Sequence, residues 1–481
     1  MVFSSLLFLY AFLPLSLLCY ALCRSLQAKN ICLLIFSLVF YAWGEPRYVF
    51  LLMFMALADW YCALRIDRSR TWSGARLWLT VAVVVDLGLI GFFKYSGLIC
   101  SLFGPVPDFI SRIALPIGIS FYTFQLLTYV IDVYRQDSYA QESYFDVLLY
   151  AALFHQCIAG PIVRYQSIEE ELFGYRSGRE ELPEGVRRFC VGLAKKALLA
   201  NPCGALADSL LLEPATASNA SLFAENLTRL HGLTVLGAWL GTAAFMLQIY
   251  LDFSAYSDMA IGLGKMLGLH YPENFNYPYT ARSVTDFWRR WHMSLSGFFR
   301  DYVYIPLGGN RVSKGRNLFN LFVVWALTGL WHGASWNFVL WGLYFFVFLV
   351  LEKSFLLRVM KKLRVLPHLY LVFVAFCGWI LFHFTDVRLG WAVFTDLFGA
   401  NGNSLYDFVS VTVFQNNLFL LLAAVLACTP LLRNLGRWLD ERFGGNVWEI
   451  LRNGIVPALL LLLSTCALVG ESYNPFIYFQ F

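Results

Sequence analysis

The chain has 481 residues, of which 59% are hydrophobic and 14% charged, with a formal net charge of +5 and a mean hydropathy of +0.61. A soluble globular protein carries about 25% charged residues, so this composition excludes that class and identifies a polytopic membrane protein. The small excess of Lys and Arg then reports loop orientation rather than nucleic-acid binding.

A transmembrane helix needs about 20 apolar residues. The N-terminal MVFSSLLFLYAFLPLSLLCYALCR carries no charge before Arg24, unlike a secretory signal. It reads as an uncleaved first span with Met1 outside and Arg24 and Lys29 in the cytoplasm. Spans are predicted near 4–23, 31–43, 48–64, 77–103, 113–131 and 144–160, then near 190–212, 232–264, 318–331, 333–351, 367–385, 415–432 and 453–470. Several are too short to cross unaided, which leaves about ten to twelve crossings. The loop with Arg65, Arg68, Arg70 and Arg76 falls on the cytoplasmic side. Asp86 and Lys94, two turns apart in one helix, read as a structural pair.

The whole chain, 1–481, reads as a single membrane domain with two polar segments inside it, 161–189 and 271–317. In the second, Trp288, Trp291, Leu295, Phe298 and Phe299 recur at helical spacing with Arg289, Arg290 and Arg300 between them. That pattern predicts amphipathic helices at the cytoplasmic interface. No internal repeat points to an inverted-repeat transporter. The 11 cysteines include no CxxC pair, and most lie in or beside apolar runs as small hydrophobes. No zinc spacing, GxxxxGK[ST] loop or GxGxxG fingerprint is present, so neither a metal, a bound cofactor nor nucleotide hydrolysis is expected.

His332, in LTGLWHGASW, stands within a membrane-depth run, where an ionisable residue is a functional-site hypothesis by default. By itself the position favours an imidazole bonded between helices. Gly333 beside it suits close approach of backbone or substrate. His292, in WRRWHMSLS, is ringed by Trp288, Trp291, Arg289 and Arg290, a setting fit to hold a carbonyl or an anionic donor. The arginines suit either the phosphates of a thioester donor or lipid headgroups. In DFSAYSDMA, Asp252 and Tyr256 share one helix face, and these buried acids call for partners such as Arg289, Arg290 or Arg300. Structural pairing is the heavier reading there. His155, His231, His270, His368 and His383 have no comparable context.

The blocks DFWRRWHMSLSGFFRDYVYIPLGGNR (286–311), GLWHGASWNFVLWG (329–342) and DFSAYSDMAIGLGKMLG (252–268) resemble the membrane-bound O-acyltransferase family, nearest its bacterial alginate O-acetyltransferase branch and more distantly its teichoic acid D-alanyl branch. FFKYSG (92–97), LPIGISFYTFQLLTYVIDVYR (115–135), IAGPIVRY (158–165) and the terminal NPFIYFQF (474–481) support the resemblance nearly end to end. Two departures stand out: Phe345 and Phe346 where the family often has His-Gly, and His155 where it usually has proline.

The resemblance implies an all-α polytopic fold with re-entrant and interfacial helices around a central funnel. It makes His332 catalytic and His292 the second functional histidine, with Arg289, Arg290, Trp288, Trp291, Trp331, Asp252 and Tyr256 as candidate substrate-binding residues. It implies transfer of an acyl group, acetyl above others, from a cytoplasmic thioester (acetyl-CoA or an acyl carrier) toward hydroxyls of an exported or cell-surface polysaccharide such as alginate. D-alanyl transfer to teichoic acid is the alternative within the class. A transporter or flippase of an acyl donor or glycan is the alternative outside it. The polar stretches are short for an independent domain, which needs about 50 residues, so a separate extracytoplasmic SGNH-type partner of the AlgX or AlgJ kind is expected. The expected location is the bacterial cytoplasmic (inner) membrane, among its lipids.

Overall fold

The structure, a computed structural model, describes residues 1–69, 71–176 and 179–470. Arg70 and the terminal NPFIYFQF lie outside them. Among the described residues every regular element is helical, as expected for a chain that must satisfy its backbone within lipid. Within these residues seven helices are long and apolar enough to cross a membrane, or eight if the pair Phe408–Asn416 and Leu418–Ala427, bent by 53°, is one span. That is fewer than the ten to twelve expected. The first predicted span is a shorter apolar helix, Phe8–Leu22. The run at 144–160 is helical only over Tyr144–Ala152, after which Leu153–Val163 is irregular and buried. Apolarity there reports burial in protein, the setting in which non-helical backbone is tolerated at membrane depth.

The chain packs as two units. The first comprises residues 1–193, 256–273 and 451–469. Its central helix, Ile119–Arg135, is buried nearly all round, its polar Thr123, Gln125, Thr128 and Asp132 included. It starts at Gly118, where φ is +78° and a Cβ would strike the carbonyl of Cys157, so glycine is required there. Packed against it are Val49–Asp67, with Arg68 at its end, and Trp72–Ile90, which Thr71 caps by accepting from the Gly74 amide. Asp86 does not pair with Lys94. It lies beside the buried Asp59, while Lys94, on the π turn Gly91–Tyr95, donates to Ser120 at 3.3 Å. His155, fully buried, is joined through Nδ1 to the Tyr271 hydroxyl at 2.5 Å. Asp258 and Glu273 are both bound by Arg188.

The second unit comprises residues 194–255 and 274–450. Its helices Lys314–His332 and Trp336–Leu351 are joined by an extended link at Gly333. They approach closely because both Gly329 and Gly342 lack a Cβ: one at Gly329 would meet the carbonyl of Phe338, and one at Gly342 that of Trp325. Such small-residue contacts are how helices associate where lipid offers no hydrophobic drive. Leu366–His383 packs on Trp336–Leu351 and supplies Trp379 and Phe382. The 11 cysteines are all free.

Candidate functional site

Within the second unit the segment 283–304 folds as short helices, Val284–Trp288 and Met293–Phe299, followed by a π turn at Arg300–Tyr304. Its aromatic side chains are not set out for an interface as the sequence pattern suggested. Trp288 is 8% exposed and Trp291 1%. Trp288 meets Trp325, Trp341 and Phe345; Trp291 meets Phe287, Phe275 and Trp379. Trp288 ends one short helix, Trp291 lies in the turn after it, and Leu295 and Phe298 lie on the next helix, so no continuous helix carries the spacing, and protein covers these side chains.

Two acceptors hold the start of Val284–Trp288, where helical amides lack partners. Ser283 caps by accepting from the Asp286 amide at 3.0 Å. The carboxylate of Glu352, itself 2% exposed, accepts from the amides of Val284 (2.6 Å) and Thr285 (2.9 Å) and from the Thr285 hydroxyl (2.6 Å). Four residues after this helix comes His292, with a left-handed backbone at φ +44°, a conformation rare for a residue with a Cβ.

His292 is 1% exposed and His332 3%. His332 is the last residue of Lys314–His332, and its ring packs edge-on against Trp331 (5.0 Å between centroids), Trp341 (4.9 Å) and Phe382 (5.3 Å). His292 packs against Phe253 (4.6 Å) and, from the other side of the site, Trp331 (5.5 Å). Both imidazoles therefore touch the Trp331 indole. Burial pushes the pKa of His292 down to about 3, because the charged form loses its water. Its ring is neutral at ordinary pH and able to accept a proton.

The other expected residues are distributed differently. Arg289 is exposed, whereas Arg290 is bound to Asp286 at 3.0 Å. Asp252 takes none of the arginines proposed for it. It is paired with Lys196 at 2.7 Å, both ends nearly inaccessible, while Arg300 pairs with its neighbour Asp301. The lysine that reaches it, Lys196, is carried on a π turn, Lys195–Ala200. Tyr256 is part of the first unit, its ring stacked on Phe3 at 4.5 Å. Gly333 is pressed against the ring of Phe338 rather than left open for substrate. The structure thus brings His292 and His332 together on Trp331 and sets Trp341 against His332; Trp288 packs on that Trp341 and Trp291 on Trp379, while Asp252 lies one residue from Phe253.

Asn274, Glu352 and Trp341 received no role from the sequence. Glu352 had a signal, a carboxylate closing the apolar run NFVLWGLYFFVFLVL. Asn274, one polar residue among several in YPENFNYP, had none.

A family model described as MBOAT, membrane-bound O-acyltransferase family, matches residues 86–394, a stretch that contains both histidines. The chain is 35% identical to the "probable alginate O-acetylase AlgI" of Azotobacter vinelandii over 521 aligned positions, covering 100% of each chain. It is 31% identical to a peptidoglycan O-acetyltransferase of Helicobacter pylori, over 84% of this chain and 81% of that one. A teichoic acid D-alanyltransferase of Bacillus subtilis matches at 28% over 52% of this chain and 62% of its own.

Proposed function

Because the chain belongs to the membrane-bound O-acyltransferase family, we propose that it moves an acetyl group from a cytoplasmic thioester, such as acetyl-CoA, toward hydroxyls of an exported or cell-surface polysaccharide. The carrying observation is the pair of buried imidazoles packed on one indole, Trp331. The full-length likeness to an alginate O-acetylase supports acetyl over D-alanyl, since the D-alanyl relative matches about half the chain. The likeness to a peptidoglycan enzyme keeps the acceptor class at glycans in general.

His332 is the general base in this reading. Its ring nitrogen takes the proton of the acceptor hydroxyl, the oxygen bonds to the thioester carbonyl carbon, and the carbon–sulfur bond breaks, the proton passing to the departing thiolate. Neutral imidazole suits such a transfer near pH 7. His292 is the second acting histidine, at the same indole. Arg289, exposed one residue after Trp288, offers its guanidinium to donor phosphates, while Arg290 is committed to Asp286. The protein works as a multi-pass protein of the cytoplasmic membrane, and a soluble extracytoplasmic partner completes delivery to polymer.

The test is reconstitution in vesicles with labelled acetyl-CoA, the candidate glycan and its partner. His332→Ala should lower acetyl transfer ~100- to 10,000-fold, and His292→Ala should also cripple it, with both variants eluting as the parent does in detergent. A His332→Ala protein that still acetylates at the parent rate refutes the assignment.

A further inference from the structure

His292 is an L residue held in the left-handed region, φ +44° and ψ +56°, a conformation that persists only where surrounding contacts over-determine it. Asn274 supplies several of those contacts. Its backbone oxygen accepts from the Met293 amide at 2.9 Å. Its side-chain oxygen accepts from the Ser294 amide at 3.2 Å and from the Ser294 hydroxyl at 2.9 Å, and the same oxygen lies 3.2 Å from Nδ1 of His292. Two residues on, the Asn276 amide donates to the carbonyl of Arg290 at 2.9 Å. The loop 274–276 thus runs alongside 290–294 and braces the strained turn.

The network also decides which ring nitrogen carries hydrogen. A peptide N–H can only donate, so the atom of Asn274 facing the Ser294 amide must be its oxygen, and the side-chain amide cannot be turned over. An oxygen facing Nδ1 requires Nδ1 to be the donor. The competing contact, the Ser294 hydroxyl at 3.4 Å from Nδ1, is longer, and that hydroxyl already donates to Asn274. We propose that Asn274 is a positioning residue for His292, fixing the imidazole as the Nδ1–H tautomer so that Nε2 is the atom available to the reaction. This rests on the reading that His292 acts in acyl transfer, and carries it further by naming the acting atom and what orients it.

Among the rings packed on His292 are Phe253, from Val235–Met266, and Trp331, from Lys314–His332, neither of which titrates. The ionisable neighbours along those elements are Asp252, paired with Lys196, and His332. Burial holds His292 neutral. A new negative charge at Asn274 would act on the ring directly.

Three variants test the proposal in the reconstituted system. Asn274→Leu, similar in size but without an acceptor, should lose about 10²-fold or more in kcat with the apparent KM for acetyl-CoA unchanged, because tautomer and orientation act on the chemical step. Asn274→Asp keeps the acceptor in place and should recover most of that kcat at alkaline pH. Its carboxylate stabilises the imidazolium, so the acid limb of its kcat–pH profile should move upward by about 1–3 units. A purely structural brace would be rescued by Asp without that displacement. Asn274→Leu with the parent kcat, or Asn274→Asp with the parent acid limb, overturns the proposal. The Asp variant is nearly isosteric and decides the matter even if the Leu variant fails to fold. His292→Ala separates the two levels: if it keeps full activity, the functional reading of His292 fails. If it is inactive while both Asn274 variants match the parent, only the positioning role fails.

Discussion

Replacing Glu352 by alanine should be among the most damaging single changes in the second unit, although Glu352 touches neither histidine. Its buried carboxylate serves three donors, the Val284 and Thr285 amides and the Thr285 hydroxyl. Truncation orphans all three, and each buried donor left without a partner costs about 1–3 kcal/mol. The Val284 amide is buried and the two Thr285 donors only partly so, which puts the loss at roughly 1–3 kcal/mol, a sizeable share of the ~5–15 kcal/mol that holds a folded domain together. Glu352→Gln keeps one carbonyl oxygen and an amide that can only donate, so it should fall between parent and alanine. The damage should reach activity as well, because the helix that Glu352 holds, Val284–Trp288, leads directly into His292. The assay is thermal unfolding in detergent, read alongside acetyl transfer, for parent, Gln and Ala. An alanine variant that melts with the parent and acetylates normally would refute the reasoning.

Lys196→Ala should destabilise by about 3–5 kcal/mol by removing the buried ammonium that pairs with the Asp252 carboxylate, whereas an apolar replacement of both partners should recover much of the loss; equal melting temperatures for the single and double variants would contradict this. Arg289→Glu should raise the apparent KM for acetyl-CoA more than Arg290→Gln does, and an unchanged donor dependence would assign Arg289 to headgroups. His270, held between Glu171 at 2.6 Å and Glu181 at 2.7 Å, gives a pH effect of definite sign. Burial pulls its pKa down, but the bonds to the two carboxylates outweigh this and leave it above the ordinary 6.5. Its contribution to stability should be complete below about pH 6.5 and fade as pH rises through the raised folded value. Thermal unfolding of parent and His270→Gln across pH 5–9 should therefore differ at the acid end and converge at the alkaline end.

The sequence determined the membrane class and the helical fold, and singled out His292 and His332, which the structure brings onto one indole. Those rest on local properties: apolar run length, a titratable residue set in such a run, and blocks long enough to carry a family likeness. Where it went astray, the error lay in what an apolar or charged residue faces. The spacing of Trp288, Trp291, Leu295 and Phe298 reads as helical and amphipathic, yet the helix breaks between Trp288 and Met293, and sequence cannot say whether protein or lipid covers those side chains; protein does. Asp252 needed a cation, and three arginines at the right block looked suitable, yet Lys196 on a π turn reaches it. Ion-pair choice depends on distances of a few ångströms between segments far apart in the chain. The same holds for Asn274 and Glu352. Their types are ordinary, and only the tertiary fold, by bringing one to Nδ1 of His292 and the other to the amides of Val284 and Thr285, gives them something to hold.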